Sequence, residues 1–559
     1  MPFARPAALA AFFTPSTTAV GRNVFLTAAV GLLPLIAFFV LMGVLKVKTH
    51  WCSMISLGLA AVIAIVFFDM PVAMTAMSAT QGAIMGLIPI VYIIVAAVWL
   101  YNLTEASGRS ADLRAVFNAI GKGDMRAQAL IVAFSFCGLL EGLAGFGAPV
   151  AIAAAMVAAL GLPKLKSAVV VMVGNAINVG FGAMAIPTTT AARLGGQEPV
   201  TVAVYMGRLT WILCAVIPIV LLFILDGARG VKQLWPLAVV AGLATGAGHF
   251  LTPSLSYELT AVLASLLGLA ASYVFLLLWT PTTPQEYRSE VKADDVPGRE
   301  RVILALLPYV LVVVMIAVTK LWTLGVNLND ALKGTDVAIQ WPGVYGRLLD
   351  AAGRPATSAV YTLQILSNPG TWIFLTGLIV TIVYAARSVP GTFEMSVGKG
   401  LATLASTCRT LRLAVLTIVS VMALAYVMNF SGQTTAIGAA LAATGAAYAF
   451  LSPVLGWIGT AVAGSATSAG ALFANLQATA AQGAGLDPRT LLAANTIGGG
   501  LGKIVSPQNL AIATTAVDAP GQDAEVLRKV APYSLGLLLA LCALVFIASQ
   551  GRLGGYMPS

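Results

Sequence analysis

Charge is what this chain has least of. Of 559 residues only 9% are Asp, Glu, Lys or Arg, against roughly 25% in soluble domains, and that scarcity excludes an ordinary soluble fold. Histidine is nearly missing too. His50 and His249 are the whole supply, too few for a haem or copper relay, and a loop-edge histidine is more often structural than a ligand. The five cysteines, Cys52, Cys137, Cys214, Cys408 and Cys542, are scattered and form no C-x-x-C pair. Neither a disulfide frame nor a zinc site has support. No H-E-x-x-H string and no nucleotide-binding unit occurs, so an intramembrane hydrolase lacks its base or metal and no cofactor is expected.

What is present is apolar length. Hydrophobic residues make up 59% of the chain and the mean hydropathy is +0.92. Apolar runs recur at about 24–45, 52–68, 84–103, 208–225, 257–278, 302–319, 411–430 and 532–549, each close to the roughly 17–25 residues that cross a bilayer. With shorter and interrupted candidates, about 12–14 crossings are expected, an all-α polytopic membrane protein embedded in lipid. The net charge of +10 comes from Lys and Arg scattered among short loops, so nucleic acid is not an expected partner. Lys46 and Lys48, then Arg109, Arg114, Lys122 and Arg126, flank a loop at 71–83 that has no Lys or Arg. The positive-inside rule then puts the N-terminus outside an inner (plasma) membrane. Ala7 to Phe13 is short for a signal-peptide core and Pro15 follows it, so the first span is expected to be an uncleaved anchor.

Two polar stretches divide the chain. A first membrane half, 1–280, is followed by a solvated linker at 281–301 and a second half, 302–559; the stretch 320–369 is expected to be an external loop with little regular structure. Each half carries the same string 320 positions apart, Asn175-x4-Gly180-x-Gly182-x4-Pro187 and Asn495-x4-Gly500-x-Gly502-x4-Pro507. Glycine and proline break helical hydrogen bonding, and broken backbone survives at membrane depth only where protein or a cavity covers it. Matched breaks in two halves point to a transporter's binding site. The repeat cores are expected at 127–192 and 452–516, each a small-residue hairpin or broken helix, a short helix and a second broken helix.

Few side chains in these cores can carry chemistry. Glu141 is the only ionisable acid or base between Ala127 and Pro163. An acid at the bilayer centre costs roughly 2.5–3.5 kcal/mol, so it faces a cavity or a partner, unless it ends a helix in the headgroup region. Burial favours the neutral form of an acid, which suits a group that loads and unloads a proton. Lys503 is the only charge between Thr490 and Val517 and closes Gly498-Gly-Gly-Leu-Gly-Lys503. The spacing is not that of a phosphate-binding P-loop, because the first glycine is one residue too close and Ile504 follows where Ser or Thr is required. Glycine amides with one lysine can seat an anion; the plain alternative is a lysine snorkelling to the surface. Ser465, Thr467 and Ser468, with Asn175, Asn178, Asn495 and Gln508, offer hydrogen bonds at depth, for a ligand or simply between helices. Arg208, Asp226, Arg229 and Lys232 flank spans and are expected to be topological anchors.

Several strings together resemble the lactate permease family. They are Glu141-Gly-Leu-Ala-Gly-Phe-Gly-Ala-Pro-Val-Ala-Ile152, Phe181-Gly-Ala-Met-Ala-Ile-Pro187, Ala471-Leu-Phe-Ala-Asn-Leu-Gln-Ala-Thr-Ala-Ala-Gln482, Ala493-Ala-Asn-Thr496, Gly502-Lys503 and Ser506-Pro-Gln508. The resemblance implies a secondary transporter moving L-lactate, glycolate and related 2-hydroxymonocarboxylates with protons. It also implies two inverted repeats with re-entrant hairpins and an elevator-like moving domain. On that reading Glu141 carries the proton. Lys503 holds the carboxylate with backbone amides at Gly145, Gly147, Gly182 and Gly502, and Ser465, Thr467, Ser468, Asn175, Asn495 and Gln508 orient the substrate. The chain departs from the family's Gly-Ser-Asp-Thr-Ser-Ser-Asn at Gly464-Ser-Ala-Thr-Ser-Ala-Gly470, where Ala466 replaces an acid and Gly470 an amide. Asn178 and Gly180 also replace the commoner Pro and Ala. A dicarboxylate or sugar acid as substrate, sodium as coupling ion, and a passive channel with a glycine-rich filter stay open at this level, as does the oligomeric state.

Overall fold

Long apolar runs with little charge can satisfy their backbone in lipid only as helices, and that is how the chain folds. The computed structural model describes residues 12–112, 115, 121–143, 145, 147–288, 298–319, 328–350, 353–519 and 521–551. Part of the expected signal core, part of the linker (289–297) and the start of the external loop (320–327) lie outside the described residues.

The first half opens with α1 (Val24–Gly43), α2 (Thr49–Val66), α3 (Val72–Met85) and α4 (Tyr92–Ala106). The first repeat follows as α5 (Met125–Ile131), α6 (Cys137–Leu143), α7 (Ala148–Ala159), α8 (Lys164–Asn175) and α9 (Gly182–Leu194), then α10 (Pro199–Leu251) and α11 (Thr260–Leu278). The second half has α12 (Arg299–Thr319), α13 (Pro369–Ala386), α14 (Val397–Ser431) and α15 (Gln433–Ala442). Its repeat is α16 (Tyr448–Ala463), α17 (Ala466–Gly483), α18 (Pro488–Lys503) and α19 (Pro507–Ala516), and α20 (Asp523–Ser549) closes the helix order.

Among the described residues, ten helical runs are long and apolar enough to cross a membrane. That figure and the expected 12–14 crossings count different things. One of the ten runs, Pro199–Leu278, is 80 residues long. Within it α10 leaves helical geometry at Asp226 and Gly227, which splits it into two passes of about 40 Å and 35 Å at 1.5 Å per residue.

The two repeats enter from opposite faces. In the first, the turn after α7 returns beside Met125, where α5 began, so α6 and α7 form a hairpin open to that face. Arg126 pairs there with Asp226, between the two passes of α10. In the second, the turn before α18 holds Arg489, whose guanidinium stacks on Tyr205 at 4.7 Å. Tyr205 lies near the start of α10, a full pass away from Asp226. The hairpin of α16 and α17 therefore opens to the other face, and the repeats are inverted.

Three sequence expectations need correction. Arg126, taken as a loop cation, is fully buried and binds Asp124, Asp226, Gln233 and the Thr282 carbonyl. A guanidinium in that setting must be multiply paired, since an unpaired buried charge costs several kcal/mol. Thr282 and Thr283 of the supposedly solvated linker dock on the same cluster, with the Thr283 hydroxyl donating to Asp124 at 2.9 Å. The external stretch is not structureless either. It holds an antiparallel hairpin of β1 (Val337–Gln340) and β2 (Val360–Leu363). Buried Tyr361 donates to the Ile88 carbonyl, Trp341 to that of Met77, and Gln81 to that of Ser358. Four-residue strands are too short to show a clear two-residue period in sequence.

Candidate functional site

Both repeats break near the middle of their helices, and the breaks meet. In the first hairpin Gly145 (φ +59) and Gly147 (φ +86) turn the chain in the left-handed region between α6 and α7. After α8 a 3-10 turn over Ala176–Phe181 leads into Ala183, Met184 and Ala185, three consecutive residues with φ of 43°, 59° and 58°. Left-handed geometry costs a non-glycine residue about 1–2 kcal/mol, and such strain persists where surrounding structure enforces it, typically at functional sites. In the second repeat Gly464 (φ +70) separates α16 from α17, and Ser465 caps α17 by accepting from the Ser468 amide. Ser506 likewise caps α19 after the break that follows Lys503.

Glu141 and Lys503, the isolated acid and the isolated base, are joined. The Lys503 ammonium donates to Glu141 Oε1 at 2.8 Å, across 362 positions of sequence. Asn175 Nδ2 donates to the other oxygen, Oε2, at 2.8 Å, and the Cys137 thiol donates to Asn175 Oδ1 at 3.3 Å. Glu141 is 2% exposed and Lys503 7%, so Lys503 does not snorkel to the surface and Glu141 faces a partner inside the protein. Gly182 makes the approach possible, because a Cβ there would stand 2.9 Å from Glu141 Oε1.

The pair forms part of the wall of a cavity of about 420 Å³. Among the expected site residues, Gly145, Gly147, Gly182, Ser465, Thr467, Ser468 and Gln508 line it with Glu141 and Lys503. Ala466, where the family pattern has an acid, also lines it. Asn175 is not on the wall and reaches the site through Glu141. Asn495 is held in a buried chain, accepting from Gln477 Nε2 at 3.0 Å while Tyr448 donates to Gln477 Oε1 at 3.0 Å. Gly502 packs against the Trp457 carbonyl. Gly500 does similar work: a Cβ there would lie 2.5 Å from the Ala176 carbonyl, where the two repeats cross. The second copy of the repeated string therefore supplies close helix packing, while in the first copy Gly182 faces the cavity.

Sequence reasoning passed over part of the wall. Asn509 sits there, 3% exposed, and its Oδ1 has no hydrogen-bond partner among the described residues. The cap string Ser506-Pro-Gln-Asn509 was the available signal. Lys48, Thr49 and His50 at the start of α2 and Leu413, Ala414, Thr417 and Ile418 of α14 also line the cavity, with no local signature. His249 is not at a loop edge. It is fully buried, with Nδ1 3.1 Å from the Thr210 hydroxyl and Nε2 3.2 Å from Asn178 Oδ1.

A second cavity, about 1190 Å³, is lined by Arg193 near the end of α9, by Asn475 in the middle of α17, and by Glu258 and Gln364. Between the two cavities α9 and α17 touch through small groups, with Gly470 against Pro187 and Ala191. α9 and the first half of α17 thus run from one cavity to the other.

A model of the L-lactate permease family matches residues 27–550. The L-lactate permease of Bacillus subtilis (strain 168) is 35% identical over 564 aligned positions, covering 96% of this chain and 98% of its own. The glycolate permease GlcA of Escherichia coli (strain K12) is 35% identical over 552, covering 93% and 96%. Among solved structures, the YdaH transporter of Alcanivorax borkumensis aligns with a TM-score of 0.45 at 17% identity, over 85% of this chain and 88% of that one. Agreement along nearly the whole length, at more than 30% identity to the permeases, means that this chain belongs to the L-lactate permease family.

Proposed function

We propose that the protein carries L-lactate, glycolate and related small 2-hydroxymonocarboxylates across the inner membrane, one cavity at a time, in symport with protons. The observation that carries this reading is the Lys503–Glu141 pair at 2.8 Å on the cavity wall. While Glu141 is ionised, it occupies the cation that a substrate carboxylate needs. Protonating Glu141 releases Lys503 and leaves a buried ammonium unpaired, a state costing several kcal/mol. A substrate carboxylate relieves that cost. Proton and anion therefore favour each other's binding, and by linkage the coupling is reciprocal. Asn175 holds Glu141 through Oε2, so the acid keeps its place when its partner changes.

Backbone amides at the start of α17 and α19, with their Ser465 and Ser506 caps, add partial positive charge near the carboxylate. The Ser465, Thr467, Ser468 and Gln508 side chains on the wall orient the 2-hydroxyl. Transfer to the far face requires the α9–α17 seam to open toward the second cavity, in the manner of an elevator-like shift of the two repeats. The N-terminus lies outside on this reading, following the Lys and Arg of the loops.

The test is uptake of radiolabelled lactate and glycolate into proteoliposomes, with and without an imposed pH gradient. Wild-type protein accumulates lactate only with the gradient. Glu141→Gln retains lactate exchange and loses the accumulation. Undiminished uphill uptake by that variant would remove Glu141 from the proton path, and accumulation driven by a sodium gradient alone would replace the coupling ion.

A further inference from the structure

The cavity has two walls from different parts of the fold. One is built by the broken helices of the repeats and carries Glu141 and Lys503; the other is the start of α2 and the middle of α14. On that second wall stand Lys48 and His50. Among the described residues no hydrogen bond or ion pair holds the Lys48 ammonium or the His50 imidazole; His50 meets only the ring of Trp51, 5.7 Å away. Lys48, Glu141, Lys503 and His50 are the titratable groups of the whole lining. Because Lys503 and Glu141 cancel each other, the unbalanced positive charge of the cavity is on the α2 side. An anion entering while Lys503 is tied to Glu141 feels that charge first, since a focused field in a low-dielectric cleft raises local counter-ion concentration.

We propose that Lys48, assisted by His50, forms a second carboxylate subsite, which holds the substrate anion until protonation of Glu141 frees Lys503 to receive it. This rests on the transport reading above and adds to it a hand-over between two cations. Lys48 is exposed, so its replacement leaves the packing intact, and its effect depends on charge alone.

The experiment is lactate counterflow in proteoliposomes with Lys48→Gln, Lys48→Gln/His50→Gln and Lys48→Arg, each in the wild-type and in the Glu141→Gln background. With Glu141 present, Lys48→Gln raises the lactate KM about fivefold, the scale of one exposed ion pair, the double variant raises it further, and Lys48→Arg restores it. In the Glu141→Gln background Lys503 has no competing carboxylate, and the Lys48→Gln effect falls below about twofold. A KM for Lys48→Gln equal to wild type, an equal effect in both backgrounds, or failure of Lys48→Arg to restore it overturns the subsite. Wild-type protein that carries no lactate at all overturns the transport reading instead.

Discussion

At the scale of single residues, the cavity wall carries one buried ion pair, Glu141 with Lys503. Glu141 has two oxygens and both are taken, by Lys503 and by Asn175. Removing one partner of a buried pair leaves an uncompensated charge and costs about 3–5 kcal/mol, whereas replacing both is often neutral. Lys503→Gln should therefore lower the melting temperature in detergent markedly, and Glu141→Gln/Lys503→Gln should recover most of the loss. If the double variant melts no higher than Lys503→Gln, the loss does not come from a Glu141 carboxylate left without its partner. Arg126 shows the same physics away from the cavity. Its guanidinium is fully buried and is satisfied by two carboxylates, an amide and a carbonyl, which ties the first repeat to the turn of α10.

At the scale of elements, the glycines of the repeated string do unequal work. Gly500 lets α18 cross the 3-10 turn of the first repeat, and an added methyl there would meet the Ala176 carbonyl at 2.5 Å. Forcing a methylene into a packed contact typically costs 1–3 kcal/mol, so Gly500→Ala should lower the melting temperature and reduce uptake. Gly536 in α20 has open space where its Cβ would go, and Gly536→Ala should be neutral or gain up to about 1 kcal/mol from helix propensity. Equal melting of the two variants would mean that the crossing is looser than its geometry. The left-handed turn at Ala183–Ala185 belongs to the same scale. It follows Gly182 and sets the start of α9 beside Glu141, so local strain is exchanged for position at the ion pair.

At the scale of the whole molecule, inversion of the repeats makes alternating access geometrically natural. Each hairpin opens to its own face, both tips reach the same cavity, and α9 and α17 connect that cavity to a second one. In the present arrangement the cavity that holds the Glu141–Lys503 pair is bounded by Lys48 at the α1–α2 turn. A cysteine at Thr467, in a Cys408→Ser background that removes the one exposed native thiol, should react with an impermeant maleimide from the face of that turn. Saturating lactate should slow the labelling. Labelling from the opposite face alone, or no protection by lactate, would contradict this placement of the site.

The sequence by itself determined the class of the protein and the two regions in which its helices break, while the second break falls after Lys503 and not at the glycines of the repeated string. Scarce charge and long apolar runs leave only helices in lipid, and glycine marks the hairpin turns at Gly145, Gly147 and Gly464, although α18 runs unbroken through Gly498, Gly499, Gly500 and Gly502. It also marked Glu141 and Lys503 as exceptional, because a lone charge in an apolar segment is costly whatever its partner. Only tertiary structure decided that the two are partners, since a contact across 362 positions leaves no local pattern. For the same reason Asn495 and Gly502 look like site residues in sequence, while in the fold Asn495 accepts from Gln477 and Gly502 packs against the Trp457 carbonyl. Lys48 looks like a topological charge and lines the cavity. A local signal reports what a residue costs to bury; which surface it is buried against depends on how distant helices cross.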